Sequence, residues 1–280
     1  MAVADALDPR QEAALAEMRS QFAEQDGQGM DLDDQCLLRY LRARQYDLPK
    51  ASAMLQHTLD WRRDFGVQKI LSGDIMETIR RENATGKIYV RGEDTQGRVC
   101  LIMRPSQENT HMHDDQMKHL VYQMERARLT LQRKTSGMGK LCMVIDYAGY
   151  SLRNAPPMRT SRSTLNIVQD HYPELLGVSY MMNPPYIFTG FWKIIYPFID
   201  HVTRQKFVFV NSSPHKPAAQ ANLAANFNMD ALEEQLGGRN AVPFDSAVYL
   251  SGAIDTCFEE SLARHQAAAA ASTAEVSTSS

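Results

Sequence analysis

Cysteine is sparse. Four residues, Cys36, Cys100, Cys142 and Cys257, stand far apart in 280 and form no C-x-x-C pair. That spacing argues against a disulfide framework and against a zinc ribbon, and it reads as reduced, packed thiols of a cytosolic protein. An excess of one charge is missing too: 30 basic residues face 33 acidic ones for a formal net charge of -3. No global field therefore draws the chain to nucleic acid or to an anionic membrane, and any membrane attraction must be local. Met1 to Glu24 lacks the basic start and apolar core of a secretory signal, so no export is implied. No apolar run reaches the roughly 18 to 20 residues that a bilayer span needs. Catalytic signatures are lacking as well. There is no G-x-S-x-G and no H-E-x-x-H, and Gly137-Met138-Gly139-Lys140 precedes a strand, whereas a phosphate loop follows one.

What the chain does have is 44% hydrophobic residues, enough for a sizeable core in one domain or in a small domain leading a larger one. Asp31 to Arg44 reads as a helix behind an acidic cap, and Asp47-Leu48-Pro49 starts a second that ends at Gly66. Lys87 to Arg91 and Arg98 to Met103 read as strands joined by a hairpin through residues 92–97. Asp115 to Gln132 has helical apolar spacing, and Lys140 to Asp146 is a continuous apolar run expected as a strand covered on both faces. Ser161 to Tyr172 follows as a helix, Val178 to Met182 as a strand, Ile187 to Tyr196 as an apolar helix and Gln205 to Val210 as a strand. That alternation predicts an α/β fold. The expected organisation is an N-terminal extension over residues 1–30, a helical lobe over 31–80, a sheet domain over 81–250, and a helix end with a disordered Ala/Ser/Thr-rich tail over 251–280.

The apolar helix is the most informative segment. Ile187-Phe188-Thr189-Gly190-Phe191-Trp192-Lys193-Ile194-Ile195-Tyr196-Pro197-Phe198-Ile199 is apolar on nearly every side, too short to span a bilayer, and flanked by Pro184, Pro185 and Pro197. Such a helix is either fully buried or alternates between a buried and a lipid-facing position.

Single polar residues weigh less by themselves. His111, His113 and His119 cluster near a helix start, but Asn109, Asp114 and Asp115 favour a solvated loop and helix cap over a metal site. Asp146, at the end of a strand, and His171, at the end of a helix, form the nearest thing to a catalytic pair, with no nucleophile or cofactor loop to complete it. Arg62 and Arg63 sit between Asp60 and Asp64, which by composition favours a solvated helix end. Spacing alone does not join these charges to Glu174, Thr203 or Lys206.

A resemblance joins them. Leu38-Arg39-Tyr40-Leu41-Arg42-Ala43-Arg44, Trp61-Arg62-Arg63-Asp64-Phe65-Gly66, Tyr172-Pro173-Glu174, Asn183-Pro184-Pro185 and the stretch from Pro197 to Lys206 occur in that order and spacing. Over about Asp31 to Tyr249 the chain resembles the CRAL-TRIO lipid-transfer family, in the branch of the yeast secretory phosphatidylinositol transfer proteins. Residues 104–110 and 119–126 resemble the fungal pleiotropic-drug-resistance type, and Leu236-Gly237-Gly238 the glycine pair that closes the family domain. The resemblance implies a helical N-terminal lobe followed by a mixed sheet floor with surrounding helices, enclosing an apolar lipid pocket. It also implies a mobile gate helix, here Phe188, Phe191, Trp192, Ile195 and Phe198, and a phosphatidylinositol headgroup held by Arg62, Arg63, Glu174, Thr203 and Lys206. Cations suit phosphate, while a hydroxyl and a carboxylate suit inositol hydroxyls.

Two features depart from that pattern. Relatives that exchange phosphatidylcholine carry hydroxyl residues on the central strand where this chain has Leu141-Cys142-Met143, and Leu175 stands where many relatives have arginine. The expected protein is thus a cytoplasmic, transiently membrane-associated, non-enzymatic carrier that moves phosphatidylinositol or presents it to lipid kinases. It would have no cofactor, metal or nucleic-acid partner. A sterol is the alternative ligand, and a small enzyme using Asp146 and His171 the third reading.

Overall fold

The computed structural model describes residues 7–25, 30–133, 139–151, 156–186, 188–210 and 217–252. The chain divides into two compact units. One is Met1–Ile75 with Arg162–Leu175, and the other is Met76–Ser161 with Leu176–Ser280.

The first unit is helical. Helix α1 (Pro9–Phe22) lies in the segment expected only as an extension. A capping box explains it: the Asp8 carboxylate accepts from the Gln11 backbone N–H, the Gln11 side chain accepts from the Asp8 backbone N–H, and a proline takes the first position. Helix α2 (Asp34–Ala43) is capped by Asp33, and α3 (Leu48–Phe65) by Asp47, with Gly66 ending α3 in the left-handed conformation at φ 78. A short α4 (Val67–Ser72) follows. Leu15, Met18 and Phe22 of α1 share one buried cluster with Leu37, Leu41 and Leu55, so α1 is part of the core and not an appendage.

The second unit holds the sheet. Helix α5 (Met76–Asn83) precedes β1 (Ile88–Glu93), which pairs antiparallel with β2 (Val99–Met103). Helices α4 and α5 lie beyond the two helices expected up to Gly66. Helix α6 (His113–Arg133) leads to β3 (Leu141–Asp146), α7 (Met158–His171) to β4 (Leu176–Met182), and α8 (Phe188–Ile195) with α9 (His201–Arg204) to β5 (Phe207–Val210). Helices α10 (Pro217–Asn226) and α11 (Ser246–Leu250) close the described chain, and residues 253–280, including the expected tail, lie outside it. The strand order is β1-β2-β3-β4-β5, with β2 to β5 all parallel, so the α/β fold expected from the alternation and the mixed sheet implied by the resemblance are both present.

Register assigns the two faces. Cys100, Cys142 and Val178 stand in line across β2, β3 and β4, as do Ile102, Val144, Tyr180 and Val208 with β5 included. These residues pack with Leu223, Phe227, Leu232 and Tyr249 from the C-terminal segments, so that face is closed. The opposite face carries Leu101, Met143, Ser179 and Phe207 in one row, and Met103, Ile145, Met181 and Phe209 in the next.

Candidate lipid site

That second face is the floor of the candidate site. Strand β3 is the centre of five, and a central parallel strand covered by helices on both sides is buried residue after residue. Here burial alternates. Cys142 and Val144 are fully buried on the closed face, whereas Met143 and Ile145 on the other are only half-buried. Phe207, two strands away on β5, is half-buried, and Phe209 is 52% exposed. The floor is thus mostly apolar and only partly covered, with Leu101, Ser179 and Met181 buried and the other five residues not.

Helix α8 lies over it. Phe188 is buried against Tyr147 and Met181, its ring 4.5 Å from that of Tyr147. Trp192 stands edge-on to Phe207 at 5.0 Å and to Phe209 at 5.6 Å. Ile195 is buried, Phe198 is 49% exposed, and the side chain of Phe191 lies outside the described residues. Of the expected gate residues, then, Phe188 and Ile195 face inward in this structure, Trp192 is intermediate and Phe198 faces solvent. Sequence reading did not single out Tyr186, Ile194, Tyr196 and Val202, which are exposed on the same stretch. Ile194 points outward by the phase of α8, while Tyr186, Tyr196 and Val202 lie in the turns and short helix that flank it. Contiguous exposed apolar residues of this kind mark an interaction surface.

The five expected headgroup residues divide between the units. Arg62 is 5% exposed on α3, close enough to Tyr40 and His171 for its charge to act on both. Its neighbour Arg63 diverges by one helical step. That side chain is 69% exposed and is paired with Asp60 at 3.0 Å and Asp64 at 2.9 Å, so at Arg63 the solvated-helix-end arrangement is the one observed. Glu174 is half-buried, with backbone φ at 58, in the left-handed region that a glutamate seldom occupies. Thr203 and Lys206 belong to the sheet unit and share a partner that was not anticipated. Asp200 caps α9, accepting the Thr203 N–H at 2.9 Å. Burial pushes its carboxyl up, but the Thr203 hydroxyl and N–H and the Lys206 charge hold it below the usual carboxylate range. The Asp-x-x-Thr spacing of an N-cap was the signal available for it.

The remaining candidates are structural in this geometry. Asp146 is buried and accepts from Ala148 N at 3.0 Å and Asn183 Nδ2 at 2.9 Å, tying the ends of β3 and β4 together. His171 belongs to the helical unit, stacked on Trp61, whereas Asp146 belongs to the sheet unit. His119 is fully buried, not solvated, with Nε2 3.0 Å from Asn83 Oδ1. Burial and the nearby Lys87 push its pKa down to about 3. His113 meets Thr160 and His111 is exposed, and among the described residues no group of three His, Cys, Asp or Glu gathers for a metal. Among them, too, no helix is long and apolar enough to cross a membrane.

A half-filled apolar floor under an aromatic helix defines a class, that of α/β domains that enclose an apolar ligand. The chain belongs to the CRAL-TRIO family: residues 83–238 match the CRAL/TRIO domain and residues 14–57 its N-terminal domain. It is 37% identical over 196 residues to a CRAL-TRIO domain-containing protein of Schizosaccharomyces pombe, covering 70% of this chain and 19% of that one. It is 34% identical to the phosphatidylinositol transfer protein PDR17 of Saccharomyces cerevisiae, over 64% of this chain and 52% of that one. Against the SEC14 cytosolic factor of Kluyveromyces lactis it is 31% identical over 88% of this chain and 84% of the relative. The chain therefore spans about a fifth of the first relative and about half of the second. The crystal structure of Sfh5 shares the fold with a TM-score of 0.60 at 19% identity, covering 72% of this chain and 80% of that one.

Proposed function

We propose that this chain is a non-enzymatic carrier of phosphatidylinositol that moves the lipid between membranes or presents it to lipid-modifying enzymes such as lipid kinases. The observation that carries the reading is the half-buried pair Met143 and Ile145 on the central strand, with Phe188 and Trp192 of α8 packed over the same face. An acyl chain of about sixteen carbons costs on the order of 13 kcal/mol to expose to water, at about 0.8 kcal/mol per methylene. Only an apolar enclosure offsets that. The same surface explains transient membrane contact. Tyr186, Ile194, Tyr196, Phe198 and Val202 are apolar and exposed, and they lie on or close to α8.

The headgroup ligands in this reading are Arg62, Arg63, Glu174, Thr203 and Lys206. Of these, Arg63 already has two carboxylate partners within its own helix. The name of PDR17, a phosphatidylinositol transfer protein, supports the ligand class. Transfer of labelled phosphatidylinositol between vesicles tests it. Wild type transfers, and Arg62→Ala and Lys206→Ala each lose at least ten-fold, the scale of one charge-assisted phosphate contact. Full transfer by both folded variants removes the headgroup assignment.

Met143 favours a second reading. It projects an apolar side chain from the floor, and the only hydroxyl in its row, Ser179, is fully buried with Met181 Sδ 3.7 Å from its oxygen. A floor that offers so little to a choline phosphate suits a sterol or another apolar lipid. Solvent extraction and mass spectrometry of the purified protein separate the two ligands.

A further inference from the structure

Arg204 reaches backwards out of its own helix. It is the last residue of α9, yet its Nε donates to the carbonyl of Ile199 at 2.8 Å and its Nη2 to that of Pro197 at 3.4 Å. Its guanidinium carbon also lies 4.4 Å from the centre of the Tyr196 ring. All three partners belong to the turn that follows α8. In that turn the Tyr196 carbonyl is taken by the Ile199 N–H at 3.2 Å, while Pro197 has no N–H to give. A basic residue at a helix end ordinarily meets the last carbonyls of its own helix. Arg204 instead binds five and seven residues upstream, and its planar fork can serve both carbonyls and the ring face together, which a lysine cannot.

The contact continues into the site. Tyr196, under the guanidinium, stands 5.7 Å from Trp192, and Trp192 meets Phe207 and Phe209 on the floor. We propose that Arg204 is a positioning residue that pins the Tyr196–Ile199 turn and thereby sets how readily the apolar helix α8 leaves the sheet. As a statement about lipid exchange this rests on the carrier reading. As a statement about the turn it does not.

The test compares wild type, Arg204→Met, Arg204→Lys and Tyr196→Leu as full chains. Amide hydrogen exchange is followed by mass spectrometry over residues 194–200, with phosphatidylinositol transfer between vesicles and the amount of bound lipid measured in parallel. In Arg204→Met, exchange in that segment rises about ten-fold while the rest of the sheet unit keeps its protection, as local opening requires. Transfer then accelerates with bound lipid unchanged, because opening gates the exchange. Arg204→Lys, which keeps the charge without the fork, falls between wild type and methionine. Tyr196→Leu removes the ring and raises exchange by a smaller factor, and it carries the test if Arg204→Met fails to fold. Unchanged exchange in the segment, or a rise spread over the whole unit, overturns the assignment. So does slower transfer at equal bound lipid. A wild-type protein that holds no phosphatidylinositol overturns the carrier reading instead, and leaves the exchange measurement to decide the turn.

Discussion

The indole of Trp61 lies flat on the imidazole of His171, with ring centres 3.9 Å apart and planes within 5°. Thr58 Oγ1 is 3.4 Å from His171 Nδ1, and the ring of His57 is 5.2 Å away. The stack ties α3, which carries Arg62, to the start of the Tyr172-Pro173-Glu174 turn.

Burial first, and then the charges of His57 and Arg62, push the His171 pKa from an ordinary 6.5 down to about 4. Between those values the unfolded chain binds the proton and the folded one does not, so stability rises with pH across that window and is flat above it. Chemical unfolding at pH 7 and at pH 4 should show a loss of about 1 to 3 kcal/mol traceable to this residue. His171→Phe, which keeps a ring on Trp61, should flatten that part of the slope. A slope equal to that of wild type counts against the assignment.

Glu174 holds its backbone at φ 58, a conformation glycine adopts without strain. Glu174→Gly should therefore keep or raise the melting temperature, by the equivalent of up to about 1 kcal/mol, while lowering phosphatidylinositol transfer. A marked fall in melting temperature would show that the carboxylate holds the fold.

Two glycines should respond in opposite ways to alanine. A Cβ on Gly238 would run into the Leu232 carbonyl, where backbone meets backbone and nothing can yield cheaply, so Gly238→Ala should destabilise by more than about 3 kcal/mol. Gly190, inside α8, has open space where a Cβ would go. Gly190→Ala should stiffen that helix by roughly 1 kcal/mol and slow lipid transfer without loss of fold. Thermal melts with parallel transfer assays check both variants.

Cys100 and Cys142 are register partners on β2 and β3, both on the closed face and both buried. The hydrogen bond with Cys142, followed by burial, pushes the Cys100 thiol far up, and Cys36 is buried in the helical core. Iodoacetamide applied to the native protein should leave these three unmodified at neutral pH, since the thiolate is the reactive form. Labelling of Cys100 before unfolding would refute the closed packing of that face.

Local chemistry accounts for most of what was legible in the chain. Strands β2 to β5 follow from apolar runs, β1 from the hairpin it forms with β2, and the ends of α3 from Asp47, Pro49 and Gly66. Helix α1 was readable from Asp8-Pro9 and Gln11, but its low amphipathicity concealed it. Helices α4 and α5 were missed because they are short and follow a left-handed glycine. At the site, Asp200 was legible as a cap, whereas the divergence of Arg62 from Arg63 was not. Adjacent helix residues point about 100° apart, and only the packing of α3 determines which of them is buried.

The amino-acid order alone determined the α/β alternation, the family motifs and the presence of one helix too apolar to be an ordinary surface element, because these depend on residue type and on spacing along one stretch of chain. The tertiary structure alone decided which face of the sheet is closed, which aromatics of α8 turn inward, and that Arg204 reaches the turn before it. Those outcomes depend on contacts between segments far apart in sequence, and a residue's side-chain period says which residues share a face but not what will cover it.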